Sequence, residues 1–172
     1  AGHDTIISTI NWDLSATNPA DVEDLTLSGR GIDGTGNSLD NVITGDTLAN
    51  TLSGGDGNDH LNGGLGNDIL TGGLGTVNFV FDNIRSIDKV MDFNQGQGDV
   101  LELHSILTGY TGTGIDNFVH FLSDGAGGTK VLVDTNGLVG GAHFVQVATV
   151  VGVDLTGGEG GRRAFQRRCG AA

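Results

Sequence analysis

The side chains best suited to chemistry in this sequence are two carboxylates, Asp59 and Asp68, in glycine-rich surroundings. Each stands at the sixth position of a nine-residue unit, GGDGNDHLN or GGLGNDILT, in which glycine fills the first, second and fourth positions. A glycine turn can adopt positive φ and lets main-chain carbonyls approach a common centre, because no Cβ obstructs them. Carbonyls and a carboxylate together supply the six or so oxygen donors, at about 2.3 to 2.6 Å, that Ca²⁺ prefers, whereas Zn²⁺ favours His and Cys. We therefore predict calcium sites formed by Gly54, Gly55, Gly57, Asp59, Gly63, Gly64, Gly66 and Asp68.

These two units belong to a run of five nonapeptides that extends without gaps from Gly36 to Val80. The eighth residue of every unit is a large apolar one: Ile43, Leu52, Leu61, Leu70 and Phe79. A flexible glycine linker would not keep an apolar residue in one phase through five units. Six residues can form a turn and three a short strand, so two units complete one circuit of a flattened coil with the eighth residue inside. The sequence thus predicts an all-β chain, a right-handed parallel β-roll with a β-rich C-terminal cap.

The neighbouring turns determine how many ions this coil can hold, since each ion is expected between turns two units apart. Asn41 and Asn50 are neutral substitutes for aspartate, and Gly73 and Gly75 add carbonyls in the fifth unit. Val77 occupies the sixth position of that unit, either as a lost ligand or as the start of an apolar core. When the sixth positions are counted every nine residues, no two neighbouring turns on the same side of the coil both have aspartate there. This predicts about one to three ions, with affinities near the ~10⁻⁴ to 10⁻³ M of extracellular modules.

After Phe79 the pattern changes to short apolar strands bounded by glycine, such as those at 130–134 and 143–151. They should add sheet that covers the open end of the coil, where unpaired strand edges would promote aggregation. Asp88 and Asp92 lie at the start of this segment. They could close one more calcium site, or they could cap a strand end through main-chain hydrogen bonds, and both alternatives remain open.

The composition argues against several other classes of protein. The chain carries 21 acidic and 8 basic side chains, a net charge of −13 and 32 glycines in 172 residues. Nucleic-acid phosphates require clustered Lys and Arg, so we expect no nucleic-acid binding. The single cysteine cannot form an intramolecular disulfide, and the sequence lacks the run of about 18 apolar residues that would predict a membrane span. We also expect no catalysis, because the motifs GxSxG, HExxH and GKS or GKT do not occur and a GxGxxG pattern at 29–34 precedes nonapeptides instead of a helix.

The nonapeptide G-G-x-G-x-D-x-U-x, with U a large apolar residue, resembles the calcium-binding repeat of RTX (hemolysin-type) proteins. The preceding stretch LTLSGRGIDGTGN is similar to degenerate segments that come before such repeats. The run DKVMDFNQGQGDVLEL at 88–103 and the stretches at 118–137 and 140–155 resemble the C-terminal secretion-target region of large repetitive RTX adhesins. The resemblance implies a noncatalytic module of a protein that is exported by type I secretion machinery, folds on calcium outside the cell and is secreted or held at the cell surface.

These patterns divide the chain into four predicted segments. They are a degenerate β-roll extension at 1–44, calcium-binding repeats at 45–82, a capping and secretion-target segment at 83–157, and a disordered basic tail at 158–172. An alternative is that the coil serves a secreted epimerase, lipase or protease as a polysaccharide-binding or folding-assisting module. A basic or aromatic stripe along one flank would favour this alternative, and one Trp, one Tyr and few cations before the tail argue mildly against it.

Overall fold

The computed structural model describes residues 2–16, 22–29, 33–107, 110, 115–136 and 141–157. Within these residues the protein is nearly all β, with 41% in strands and no α-helix, and its stacked parallel coils form a β-solenoid of about five turns. The predicted all-β parallel β-roll is thereby confirmed. The tail at 158–172, predicted to be disordered, lies outside the described residues.

Two parallel sheets form the walls of the solenoid, because each circuit of the chain contributes one strand to each wall. The first wall consists, in spatial order, of β1 (Thr5–Ser8), β3 (Asp24–Leu27), β5 (Val42–Thr44), β7 (His60–Asn62), β9 (Asn78–Val80) and β11 (Val100–Glu102). The parallel part of the second wall consists of β2 (Trp12–Asp13), β4 (Gly34–Thr35), β6 (Thr51–Asp56), β8 (Ile69–Leu74) and β10 (Asp88–Val90).

The register of both walls places the eighth residues of the nonapeptides on top of one another. In the first wall Ile43 pairs with Leu61, which pairs with Phe79, and in the second wall Leu52 pairs with Leu70. All five side chains are 0% exposed and belong to one apolar core cluster. At about 25 cal/mol per Å² of apolar surface buried, this axial stack is a major stabilising contribution, and it holds the turns between the strands at fixed spacing.

The parallel stack continues beyond residue 82 and then meets an antiparallel sheet. β10 pairs with β8 and β11 pairs with β9, both in parallel. β14 (Phe144–Val150) adds parallel to β10, and β13 (Thr129–Asp134) and β12 (Val119–Ser123) follow in antiparallel order. Two short 3-10 helices, His104–Ile106 and Ile115–Asn117, lie in the connection. β14 thus covers the edge that β10 would otherwise expose.

Candidate metal centre

Glycines at the second and fourth positions shape each turn through their main-chain conformation. Gly55 has φ of 104° and Gly57 has φ of 120°, in the left-handed region that side chains disfavour. A Cβ on Gly55 would also lie 2.3 Å from the carbonyl oxygen of Asn37 in the turn below. Positive φ recurs at the other predicted glycines of these positions: Gly64, Gly66, Gly73 and Gly75. These glycines therefore allow successive turns to stack closely.

The first glycine of a unit creates room for oxygen atoms. The point where a Cβ of Gly54 would lie is 2.2 Å from Asp59 Oδ2 and 2.6 Å from the carbonyl oxygen of Gly72. The corresponding point at Gly63 lies 2.1 Å from Asp68 Oδ2. Gly54 thus lets a carboxylate oxygen of one turn and a main-chain carbonyl of the next same-side turn share a small space.

Asp59 and Asp68 are each half satisfied by hydrogen bonds. The main-chain N–H of Asn41 donates to Asp59 Oδ1 at 2.8 Å, and that of Asn50 donates to Asp68 Oδ1, also at 2.8 Å. The second oxygen of each carboxylate is buried and has no hydrogen-bond partner in the described part of the chain. A buried carboxylate oxygen without a partner carries a large desolvation cost, which a bound cation would offset.

The pKa values of the two carboxylates also show that their burial is not compensated by the protein. Burial raises the pKa of Asp59 to about 6, and the charges of Asp40 and Asp56 add to this effect. Burial likewise raises the pKa of Asp68 to about 6. Carboxylate and carbonyl oxygens in the space left by glycine form the donor set of Ca²⁺, so the residues present fit that ion. Among the described residues, no group of three or more His, Cys, Asp or Glu side chains is placed to hold a metal.

The predicted ligands Asn41 and Asn50 have hydrogen-bond partners of their own. Asn41 Oδ1 accepts the N–H of Asn37 at 2.8 Å, and its Nδ2 donates to the carbonyl of Glu23 at 3.0 Å. Asn50 Oδ1 accepts the N–H of Asp46 at 2.9 Å. A neutral amide can bond both to an N–H and to a carbonyl, so Asn41 bridges its own turn and the preceding circuit through hydrogen bonds alone. Whether the two asparagines also contact calcium stays a prediction.

One expectation about the array was wrong: two aspartates do follow each other on one side. Asp68 donates its main-chain N–H to Asp88 Oδ1 at 3.1 Å, and Lys89 pairs with Ile69, so Asp88 takes the sixth position of the next turn. The nonapeptide count missed this pair because Asp68 and Asp88 are twenty residues apart, whereas two nonapeptides span only eighteen residues. Burial raises the pKa of Asp88 to about 7, and the charge of Asp68 contributes to this rise.

Asp99 is a residue of the same kind that the nonapeptide count also missed. It accepts the N–H of Val77 at 3.0 Å and that of Asn94 at 2.8 Å, and Val100 pairs with Asn78. Asp99 therefore occupies the sixth position one circuit after Val77. The available signal was its place directly before the apolar pair Val100 and Leu101, as Asp68 precedes Ile69 and Leu70.

Asp92 and Val77 have well-defined surroundings. Asp92 Oδ1 and Oδ2 accept the N–H groups of Gly72 and Gly73, each at 2.8 Å, which corresponds to the predicted capping role. Asp88 instead bonds the preceding turn at Asp68, so the hydrogen bonds of the two aspartates go to different turns. Val77 is 0% exposed and packs beside Gly72, within the apolar core.

Comparison with known proteins defines the class of this site. Residues 44–76 match the family model of the RTX calcium-binding nonapeptide repeat, in four copies. No curated protein matches the chain. RTX nonapeptide repeats bind Ca²⁺, so this part of the β-solenoid is a calcium-binding module. Within the described residues no helix has the length and apolarity needed to cross a membrane.

Proposed function

We propose that this chain is a noncatalytic calcium-binding module that folds when it meets calcium outside the cell, at the C-terminus of a type I secreted protein such as an adhesin. The observation that carries the proposal is the pair of buried carboxylate oxygens, Asp59 Oδ2 and Asp68 Oδ2, that have no partner within the described residues. Their turns coincide with the segment that matches the calcium-binding repeat.

Electrostatics explain why folding would depend on the ion. The chain has a net charge of −13, and in the stacked turns the charges of Asp40 and Asp56 act on Asp59. Ordering a glycine-rich chain also costs about 1 to 2 kcal/mol of main-chain entropy per residue. Bound calcium supplies positive charge to the turns, and the Asp59 and Asp68 carboxylates with carbonyls such as that of Gly72 would hold it. Because the ion binds only the folded arrangement, its binding free energy becomes folding free energy.

Far-UV circular dichroism of the full chain at pH 7.5 tests this proposal. In millimolar calcium we expect a β spectrum, and in excess chelator we expect that spectrum to be lost. Magnesium is the matched control, since it prefers octahedral geometry at about 2.0 to 2.1 Å and retains its waters, so it should restore little structure. The same β spectrum in chelator and in calcium would contradict calcium-dependent folding.

The proposed extracellular location and export rest on sequence. RTX repeats are typical of secreted proteins, and the stretches at 88–103, 118–137 and 140–155 resemble a secretion-target region. Under this proposal the segment at 83–157 both caps the coil and addresses the chain to type I secretion machinery. A reporter fused to the full chain should reach the medium of cells that carry a type I exporter, and a fusion without residues 83–172 should remain inside. Equal retention of both fusions would contradict the proposal.

Polysaccharide binding is a second candidate, and one observation favours it. A groove of about 510 Å³ runs along the outside of the first wall, and the polar side chains of Asp40, Asn58, His60 and Thr76 are part of its lining. Such side chains can hydrogen-bond sugar hydroxyls, but its described lining contains no Phe, Tyr, Trp, Lys or Arg. Titration of the calcium-loaded chain with dextran and with alginate tests the candidate. Binding that Asn58→Ala weakens would support it, and no binding of either polymer would contradict it.

A further inference from the structure

Asp46 occupies a position where the calcium-binding repeat has glycine. It is the second residue of the unit that begins at Gly45, whereas Gly55 and Gly64 stand there in the next two units. Its carbonyl oxygen accepts the N–H of Leu65 at 3.1 Å and lies 2.4 Å from the point where a Cβ of Gly64 would be. Asp46 therefore lies directly against the turn that carries Asp68.

The carboxylate of Asp46 is fixed in place but only half satisfied. Asp46 Oδ1 accepts the N–H of Leu48 at 2.8 Å, which closes a local turn. Asp46 Oδ2 is buried and has no hydrogen-bond partner among the described residues. One oxygen thus orients the side chain, and the other remains available as a ligand.

Two hydrogen bonds connect the main chain of Asp46 to the carboxylate of Asp68 through Asn50. The N–H of Asp46 donates to Asn50 Oδ1 at 2.9 Å, and the N–H of Asn50 donates to Asp68 Oδ1 at 2.8 Å. Asp68 is 1% exposed, and its Oδ2 likewise has no partner in the described part of the chain. The charge of Asp46 helps to raise the pKa of Asp68, as expected of two neighbouring carboxylates.

The opposite side of the coil provides an internal comparison. Asn37 holds the second position of the unit that begins at Gly36, in the turn below Asp59. Its Oδ1 accepts the N–H of Leu39 at 2.8 Å, as Asp46 Oδ1 does for Leu48, but its Nδ2 donates to the carbonyl of Val22 at 2.9 Å. Asn37 is therefore satisfied by the protein on both atoms, so the two sides of the coil differ in charge at this position.

We propose that Asp46 is a second carboxylate ligand of the calcium ion held by Asp68, so that this side of the coil binds calcium more tightly than the side of Asp59. The inference rests on the proposed calcium-binding function. Affinity for calcium rises with the number of charged ligands, because each carboxylate adds an attractive charge at contact distance.

Calorimetric calcium titration of the full chain tests this assignment with Asp46→Asn. The asparagine keeps the acceptor for Leu48 and is the residue found at position 37. We expect the tighter class of sites to weaken by roughly tenfold or more. Asp56→Asn is the control: it removes the same charge from the array, Asp56 is exposed, and its charge acts on Asp59 as that of Asp46 acts on Asp68. The control should change affinity by less than about threefold.

A double-mutant comparison shows whether the two carboxylates share one ion. Asp46→Asn should add little when Asp68→Asn is already present, and should add its full effect to Asp59→Asn, since residues at separate sites behave additively. If Asp46→Asn does not regain the β spectrum in saturating calcium, Asp46→Ser provides the same test, because its hydroxyl can also accept from Leu48. Equal effects of Asp46→Asn and Asp56→Asn would overturn the proposal, whereas an unmodified chain that binds no calcium would overturn the proposed function itself.

Discussion

The main-chain N–H of Asp68 donates a hydrogen bond of 3.1 Å to the carboxylate of Asp88, twenty residues further along the chain. The same relationship joins Asn41 to Asp59 and Val77 to Asp99. A sixth-position carboxylate thus accepts the N–H of the residue one circuit earlier, and this contact continues after the nonapeptides end. The carboxylates therefore contribute to stacking of the turns as well as to calcium binding.

Removal of either central carboxylate should weaken calcium binding. We expect Asp59→Ala and Asp68→Ala to lower calcium affinity and to lower the melting temperature in calcium, because each change removes a ligand and leaves a buried N–H without its acceptor. Loss of that acceptor alone costs about 1 to 3 kcal/mol. Calorimetric titration and thermal unfolding in calcium measure the two effects.

Asp124 provides the control for these variants. Its Oδ1 accepts the N–H groups of Ala126 at 2.7 Å and Gly128 at 2.8 Å, so Asp124→Ala would open a turn of the cap. Asp124→Asn keeps this acceptor and should change neither calcium affinity nor stability appreciably. If Asp124→Asn lowers calcium affinity as much as Asp68→Ala, the effect is one of general charge and specific ligation is contradicted.

Val77→Asp should destabilise the protein instead of restoring a calcium ligand. Val77 is 0% exposed in the apolar core, and an unpaired buried charge costs several kcal/mol, about 3 to 5 where a buried pair is broken. We expect a lower melting temperature with unchanged or weaker calcium affinity. Leu74→Asp introduces the same charge in the same unit at a side chain that is 64% exposed, so it should be tolerated. Tighter calcium binding by Val77→Asp at an unchanged melting temperature would show that position 77 is a ligand position.

Protonation should partly replace calcium. Burial raises the pKa of Asp59 and Asp68 to about 6 and that of Asp88 to about 7, above the ~3.9 of an unfolded chain. Between about pH 4 and 7 the folded state therefore binds more protons than the unfolded state. Protonation of these groups stabilises the folded state at the lower pH values, and this stabilisation is lost as pH rises through 6 to 7. We expect the chelated chain to gain β signal in circular dichroism as pH falls from about 7.5 to 5.

Two further measurements test the same linkage. Calcium must displace protons from these carboxylates below about pH 7, so its affinity should fall with pH and its binding should release protons in calorimetry. Asp88→Asn keeps the acceptor for the Asp68 N–H without the charge, and it should raise the β content of the chelated chain at pH 7.5. Hydrogen bonds from Ala126 and Thr156 lower the pKa of Asp124 and Asp154. These two carboxylates therefore take up protons only below about pH 4, outside the range of this experiment. A β signal that does not increase between pH 7.5 and 5 in chelator would contradict this prediction.

Gly54→Ala should damage the calcium site through one methyl group. The added Cβ would lie 2.2 Å from Asp59 Oδ2 and 2.6 Å from the carbonyl oxygen of Gly72, so both oxygens must move. We expect weaker calcium binding and a loss of about 1 to 3 kcal/mol in the free energy of unfolding. Gly157→Ala is the control, since nothing lies within 4 Å of its added Cβ, and it should leave both quantities unchanged. Calorimetry and denaturant unfolding in calcium provide the comparison.

The sequence alone determined the coil and the chemistry of its central turns. The fixed phase of Leu61 and Leu70 predicts stacked strands with these residues inside, and glycines around Asp59 and Asp68 predict oxygen ligands for calcium. Both conclusions follow from spacing within eighteen residues, where the repeat itself sets the geometry. The family match over residues 44–76 supports the same assignment.

Only the tertiary structure decided which turns face each other beyond the perfect repeats. Asp88 and Asp99 take sixth positions because the connections before them are longer than a nonapeptide, so residues twenty and twenty-two apart come into contact. The unpartnered oxygen of Asp46 and the burial of Val77 also depend on neighbours one circuit away. A strict count of nine cannot locate such contacts, because the length of each loop sets the register of the next strand, and packing of the core fixes that register.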